Sequence, residues 1–91
     1  MTEHSLKTWP GFFAGLVDGT KTAEVRFNDR NYQVGDRLVL REYDPRTEEY
    51  SGRVEYRTVS QVDDLSVFIS GDQGIVLLSF AKPDVSGKGG R

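Results

Sequence analysis

A single helical stripe near the start of this chain constrains its fold most. Apolar side chains recur at positions i, i+3, i+4, i+7 and i+8, which is the spacing of one helix face. Pro10 suits a first helical turn, and Gly19 suits a C-terminal cap. The sequence therefore predicts a helix over 9–18 with Thr8 as its N-cap. The stripe also predicts core packing for its members, Trp9, Phe12, Phe13, Leu16 and Val17.

The segments on either side of this helix have the patterns of strands. Alternating or continuous apolar runs, separated by Gly, Pro, Asn and Asp, predict strands at 3–7, 22–28, 37–43, 53–62 and 75–81. One helix cannot cover both faces of such a sheet, and a small sheet of this kind tends to close on itself. The predicted fold class is therefore α+β, a small and mostly antiparallel β-barrel with one N-terminal helix and about five strands.

Length and composition limit the organisation and the chemistry. The 91 residues predict one domain over 1–82, followed by a glycine-rich flexible tail at 83–91. Without cysteine, and with His4 as the only histidine, the chain is not expected to hold a metal or a cofactor. The net charge of −2 argues against binding nucleic acid by charge alone. No apolar run suits a membrane span or a signal peptide, so we expect a cytoplasmic monomer without a membrane partner.

Charged side chains concentrate where the predicted helix gives way to the second strand. Strand alternation places Thr22, Glu24, Arg26 and Asn28 on one face and the apolar Ala23, Val25 and Phe27 on the other. We expect the apolar set to face the core and the polar set to offer a row of groups to a polar ligand. The alternative is a solvated face in which Glu24 and Arg26 form a structural ion pair.

Several elements occur in the order and spacing of a known family. They are His4-Ser-Leu-Lys7, Trp9-Pro10, Gly19-Thr-Lys21-Thr-Ala-Glu24-Val-Arg26, Asn28-Asp-Arg30, Val34-Gly-Asp36, Leu38-Val-Leu-Arg-Glu42, Asp44-Pro45 and Tyr50-Ser-Gly-Arg53. In these elements the chain resembles the ASCH domain of the PUA-like superfamily. It is most similar to small ASCH-like proteins of phages and bacteria that are themselves uncharacterised. The resemblance covers roughly residues 3–81.

The resemblance implies a fold and a ligand class. It implies a small β-barrel with the helix at its edge, and a cleft beside the segment from Lys21 to Arg26. ASCH and PUA-like domains are associated with RNA or modified nucleobases, and one branch removes the acyl group from acetylated cytidine with a lysine, a threonine and a distant glutamate. Lys21 falls on the lysine position, but Glu24 replaces the threonine. The region of the distant glutamate offers only Asp63, Asp64 and Asp72.

Three functions follow as hypotheses. The first is a module that binds single-stranded RNA or a modified nucleoside, with Trp9 or Tyr32 stacking on a base. Its ligand-binding residues would be Lys21, Glu24, Arg26, Arg30, Lys7, His4 and Tyr32. The second is an amidohydrolase acting on acylated cytidine, with Lys21 and Glu24 as catalytic groups and His4 as a third participant. The third is a phage-type interaction or inhibitor factor that contacts a host protein through the acidic segment 62–73.

The turn between the second and third strands carries one further prediction. Asp36 follows Gly35 at the entry to the third predicted strand. Aspartate side chains commonly accept hydrogen bonds from nearby backbone N–H groups in such turns. We therefore expect Asp36 to close the turn and to have a structural role.

Overall fold

The computed structural model describes residues 2–66, 68 and 74–81, and these residues form one helix and five strands. The predicted tail at 83–91, and half of the acidic segment 62–73, lie outside this part of the chain. No helix in the described ranges is long and apolar enough to cross a membrane. In chain order the elements are β1 (Glu3–Thr8), α1 (Pro10–Asp18), β2 (Ala23–Phe27), β3 (Arg37–Asp44), β4 (Glu49–Asp64) and β5 (Ile75–Phe80).

The five strands form one mixed sheet in the order β1-β3-β4-β5-β2. β1 runs parallel to β3, and the other neighbouring strands are antiparallel. The sixteen-residue β4 pairs with β3 along its first part and with β5 along its second part. A register shift between Val59 and Gln61 separates the β5 ladder into two parts. The prediction of an α+β fold with one helix and five strands is confirmed.

The predicted closed barrel is wrong, because β1 and β2 are the two edges of an open sheet. In a closed barrel, backbone hydrogen bonds would join β1 to β2. Here two arginine side chains extend to β1 instead. Arg26 Nη2 donates to the carbonyl oxygen of Lys7 at 2.7 Å, and Arg30 Nη1 donates to that of Ser5 at 3.0 Å. These donors satisfy carbonyl groups on the β1 edge, so the edge needs no strand partner there.

The core lies between the sheet and one side of α1. The helix contributes only Phe13 and Leu16 to it, while Trp9 is 55% and Phe12 57% exposed. The prediction that Trp9, Phe12 and Val17 pack in the core is therefore wrong. The nine-residue helix packs on the sheet through fewer side chains than its apolar stripe contains. The rest of the core comes from Leu6, Tyr32, Leu38, Leu40, Val59, Val76, Leu78 and Phe80.

The two ends of α1 are held in different ways. Trp9 occupies the N-cap position without a side-chain hydrogen bond, so the prediction of Thr8 as N-cap is wrong, and Thr8 instead ends β1. The C-terminal cap is Gly19, as predicted, with φ of 83°. The buried Arg57 Nη2 also donates to the Leu16 carbonyl oxygen at 2.7 Å. This bond ties the end of α1 to β4 and fixes the start of the segment that leads into β2.

Candidate functional site

A cleft of about 540 Å³ opens between the end of β1, the start of α1 and strand β2. It lies at the junction of helix and strand, where the resemblance implies a cleft. Its volume is within the range of small-molecule sites, roughly 300–1,000 Å³. The lining residues are Lys7, Thr8, Trp9, Phe12, Lys21, Glu24, Val25, Arg26, Phe27 and Ile75.

A buried carboxylate is the most unusual group in this cleft. Glu24 is only 5% exposed, and its Oε2 accepts a hydrogen bond from Arg26 Nε at 2.8 Å. The same arginine donates to the Lys7 carbonyl oxygen, so Arg26 holds Glu24 against the β1 edge. Within the described residues, the side-chain hydrogen bonds of Glu24 involve Oε2 alone. The predicted ion pair is therefore present, and it leaves Oε1 available to accept a further hydrogen bond.

The burial of β2 is the reverse of the predicted one. Glu24 is buried, whereas Val25 is 57% and Phe27 58% exposed. The prediction that Val25 and Phe27 face the core is therefore wrong. The reversal is possible because the ion pair with Arg26 compensates the buried Glu24 charge. Val25 and Phe27 consequently give the cleft an apolar side.

Two amino groups border the cleft. Lys21 lies against the helix because Gly15 has no side chain, and a Cβ on Gly15 would come within 3.0 Å of the Lys21 Cβ. The Lys21 N–H also donates to the Gly15 carbonyl oxygen at 3.0 Å. Lys21 Nζ lies 5.2 Å from the centroid of the Phe12 ring. Neither Lys21 nor Lys7 has a carboxylate partner within 4.0 Å among the described residues.

An aromatic surface forms the helical side of the cleft. The rings of Trp9 and Phe12 are nearly parallel, at 17°, with centroids 6.4 Å apart. Sequence reasoning named Trp9 as a possible stacking residue but favoured the core, and it missed Phe12. The available signal was the width of the apolar stripe, because a short helix with two aromatic residues at its first turn cannot bury all of them.

Thr8 adds a hydroxyl group that sequence reasoning also missed. The residue lines the cleft and is 2% exposed. Its Oγ1 is buried and has no hydrogen-bond partner among residues 2–66, 68 and 74–81. Buried hydroxyl groups normally have a partner, since an unsatisfied one costs about 1–3 kcal/mol. The wall between β1 and the cleft therefore contains a hydroxyl group whose hydrogen-bonding capacity is unused among the described residues.

Three of the predicted ligand-binding residues lie away from the cleft lining. His4 Nε2 and Asp36 Oδ2 are 2.8 Å apart in a hydrogen bond, and the His4 ring meets the Tyr32 ring edge-on at 4.7 Å between centroids. Tyr32 is 4% exposed, and burial raises the pKa of its hydroxyl. Arg30 donates to the Ser5 carbonyl oxygen. The structure therefore brings together Lys7, Lys21, Glu24 and Arg26, and it separates them from His4, Tyr32 and Arg30.

Asp36 organises the cluster around His4. Its carboxylate accepts hydrogen bonds from the backbone N–H groups of Gln33 at 3.0 Å and Thr2 at 3.3 Å. The hydrogen bond with His4, supported by those N–H groups, lowers the pKa of Asp36. The prediction that Asp36 closes its turn is confirmed.

Asp63 and Asp64, two of the acids considered for the distant catalytic position, are not part of the cleft lining. Asp63 accepts from Gln61 Nε2 at 2.9 Å, and Asp64 accepts from the Ser66 N–H at 2.9 Å. Asp72 lies outside the described residues, and so does half of the segment predicted to contact a host protein. In the described ranges, no three His, Cys, Asp or Glu side chains form a group suited to a metal ion.

Comparison with known proteins relates the chain to a phage protein and to a family. It is 36% identical over 63 residues to the "Uncharacterized 12.9 kDa protein in GpA 3'region" of Escherichia phage P2. The aligned part is 69% of this chain and 56% of the phage protein, so the chain spans little more than half of that relative. Residues 3–80 match the family described as "Domain of unknown function (DUF3850)". Because the match includes most of its length, the chain belongs to the DUF3850 family.

Proposed function

We propose that the cleft binds a nucleobase, either free in a modified nucleoside or within single-stranded RNA. The observation that carries the proposal is the buried Glu24 carboxylate in a cleft bordered by exposed aromatic rings and by the amines of Lys7 and Lys21. Carboxylates accept hydrogen bonds from the exocyclic amine of cytosine. Flat aromatic side chains stack on bases in single-stranded recognition. The chemistry of the cleft therefore favours a cytosine-type base.

The charge of the protein supports recognition of a base rather than of the backbone alone. The chain has a net charge of −2, whereas indiscriminate nucleic-acid binding relies on a basic surface. Lys7 and Lys21 provide positive charge only at the border of the cleft. A nucleotide has both a base and a phosphate. It would place its base over Trp9 and its phosphate near one of these two amines.

Intrinsic fluorescence tests this proposal directly, because Trp9 is the only tryptophan and it lines the cleft. Titration with cytidine monophosphate at low salt should change the emission and reach saturation. Replacing Trp9→Ala should weaken binding about 5- to 150-fold, since stacking contributes about 1–3 kcal/mol per base. The variant is assayed by calorimetry. Val17→Ala, an exposed residue of the same helix outside the cleft lining, is the matched control.

The role of Glu24 predicts a change in base preference. Uracil presents a carbonyl oxygen where cytosine presents an amine, so the Glu24 carboxylate should favour cytidine over uridine. Glu24→Gln replaces an obligate acceptor by a group that can also donate. The variant should lose much of this preference, whereas an effect through folding alone would weaken both nucleosides equally. Absence of saturable binding by any nucleoside or short RNA at low salt would overturn the proposal.

We also propose that this family is related to the ASCH domains of the PUA-like superfamily. The support is the element Gly19-Thr-Lys21-Thr-Ala-Glu24-Val-Arg26. Three of its side chains, Lys21, Glu24 and Arg26, line the cleft. A relationship of this kind would account for a small curled sheet with one helix and a nucleobase ligand, although here the sheet is open.

Hydrolysis of an acylated cytidine is the second candidate function, and the unpartnered hydroxyl of Thr8 favours it. The cleft brings a threonine hydroxyl, the Lys21 amine and the Glu24 carboxylate to one lining. These are the three residue types used by the acetylcytidine branch, although the threonine comes from a different position. Incubation with acetylcytidine should then release cytidine and acetate, and Thr8→Val should abolish release while preserving binding. Binding without product would reject this second function alone.

A further inference from the structure

Three basic side chains share a property that sets them apart from the rest. Within the described residues, each of the other arginines lies within 4.0 Å of a carboxylate. Among the same residues, Lys7, Lys21 and Arg41 have no such partner. Lys7 and Arg41 are register partners on the adjacent strands β1 and β3, so the three unpaired charges lead from the cleft onto the sheet.

Arg41 borders a second concave surface on this part of the sheet. A shallow groove of about 360 Å³ is lined by Ser5, Arg41, Tyr50, Gly52, Arg53 and Val54. Arg41 Nε donates to Ser5 Oγ at 2.8 Å, which holds the guanidinium along the groove. Arg53 forms an ion pair with Glu42 at 3.8 Å. Among the described residues, Arg41 is therefore the basic group of this groove that lacks an acidic partner.

Two tyrosine rings connect the groove with the cleft. Tyr43 and Tyr50 face each other edge-on, with centroids 5.0 Å apart, and Tyr50 is 52% exposed. Lys7 Nζ lies 4.3 Å from the centroid of the Tyr43 ring. Lys7 also lines the cleft. The side chains of Lys7, Tyr43, Tyr50 and Arg41 thus form a strip that begins at the cleft, with a cation at each end and two adjacent rings between them.

We propose that this strip binds the nucleotides next to the base held in the cleft, so that the natural ligand is a single-stranded RNA segment rather than a free nucleoside. Cations on either side of two adjacent tyrosine rings, of which Tyr50 is exposed, suit the phosphates and bases of a single strand. A free nucleoside would use the cleft and leave the strip empty. This inference rests on the proposed function of the cleft, and it adds the strip as a second part of the same site.

The test compares cytidine monophosphate with a hexacytidylate RNA on the whole chain. The hexamer should bind more tightly and with a steeper salt dependence, because each phosphate neutralised adds about 0.7 to the slope of log K against log salt for single strands. Arg41→Ala should weaken hexamer binding severalfold and reduce that slope by about 0.7. Tyr50→Ala should weaken hexamer binding about 5- to 150-fold through lost stacking. Neither variant should change the affinity for the monophosphate.

A matched control comes from the same strand. Arg37 lies on β3 four positions before Arg41, but it is near Glu3 at 3.8 Å and its guanidinium lies 4.5 Å from the Tyr56 ring centroid. Arg37→Ala removes the same charge and should leave hexamer affinity and slope unchanged. Equal losses from Arg37→Ala and Arg41→Ala would overturn the strip, because they would indicate attraction by overall charge.

The remaining outcomes separate this inference from the proposed function. If the monophosphate binds in the cleft and the hexamer binds no better, the strip is refuted and the nucleobase site stands. If the hexamer binds and Trp9→Ala has no effect on it, the cleft is refuted as the anchoring site, and the strip as its extension fails too. If neither ligand binds at low salt, both are refuted.

Discussion

Two polar clusters at opposite ends of β1 are built from similar groups but are satisfied to different degrees. In the inner cluster, the His4 ring and the Asp36 carboxylate bond to each other, and two backbone N–H groups complete the carboxylate. In the cleft, the Glu24 carboxylate has one partner, the Thr8 hydroxyl has none among the described residues, and the Lys7 and Lys21 amines lack acidic partners there. A cluster completed by the protein stabilises the fold, whereas an incomplete cluster has groups left for a ligand.

This contrast explains why His4 misled the sequence analysis. A lone histidine next to predicted site residues was a reasonable candidate for the site, since histidine is common in catalysis. The structure shows that alternation along β1 turns His4, Leu6 and Thr8 inward. Only Thr8, the last of the three, lies far enough along the strand to line the cleft.

The largest expected effect is on stability, from breaking the inner cluster. His4→Ala removes the partner of the buried Asp36 carboxylate and the edge-on contact with Tyr32. We expect a loss of roughly 2–4 kcal/mol in the free energy of unfolding, from an unsatisfied buried group and a lost aromatic contact. Chemical denaturation followed by circular dichroism measures it.

Lys21→Gln is the corresponding change in the incomplete cluster. Because Lys21 has no acidic partner among the described residues, its replacement should change the free energy of unfolding by less than about 0.5 kcal/mol. It should nevertheless weaken nucleotide binding. A variant that lost as much stability as His4→Ala would contradict the distinction between the two clusters.

Acid should weaken the inner cluster by protonating Asp36. The pKa of Asp36 lies below its ordinary value of about 4 in the folded protein. The stabilisation by its carboxylate is therefore fully present above pH about 4 and is lost as the pH falls through the lowered pKa. Asp18, Asp44 and Asp64 also have lowered pKa values and add to the same acid transition.

Comparison with a variant isolates the contribution of Asp36. The unfolding free energy of the native chain and of Asp36→Asn should converge as the pH is lowered below about 4. Denaturant titrations at pH values from 2 to 7, chosen to bracket ordinary carboxyl pKa values of about 4, measure the difference. A constant difference across this range would show that the Asp36 charge does not stabilise the fold.

The sequence predicted the elements well because their signals are local. The limits of β3, predicted at 37–43 and found at Arg37–Asp44, follow from a turn at Gly35 and an apolar run. The faces of β2 were not predictable from alternation, because a period of two identifies two faces and does not say which is buried. That choice depends on Arg26, which reaches the β1 edge and brings Glu24 inward.

The open sheet was unpredictable for a related reason. The two edge strands of this sheet are β1 and β2. Whether such edge strands pair with each other depends on contacts between residues distant in sequence. Here the contacts are made by Arg26 and Arg30 side chains to carbonyl oxygens of β1. Nothing in the local pattern of either arginine distinguishes such a bridge from a solvated side chain or a ligand contact. The cleft itself was predicted through the resemblance of the Lys21–Arg26 segment to a known family, not through its local periodicity.

A smaller effect than that of His4→Ala is expected from the two glycines of α1, and it tests how the cleft is positioned. A Cβ at Gly11 meets nothing within 4 Å among the described residues, so Gly11→Ala should leave the cleft unchanged and stabilise the fold by about 0.4–1 kcal/mol. A Cβ at Gly15 meets the Lys21 Cβ at 3.0 Å, so Gly15→Ala must move Lys21 by a few tenths of an ångström. The helix-propensity gain should therefore be largely cancelled there, and nucleotide affinity should fall.

Thermal unfolding together with nucleotide titration of the two variants measures both effects. Equal stabilisation with unchanged affinity in both would mean that the close approach of Lys21 to the helix has no part in forming the site.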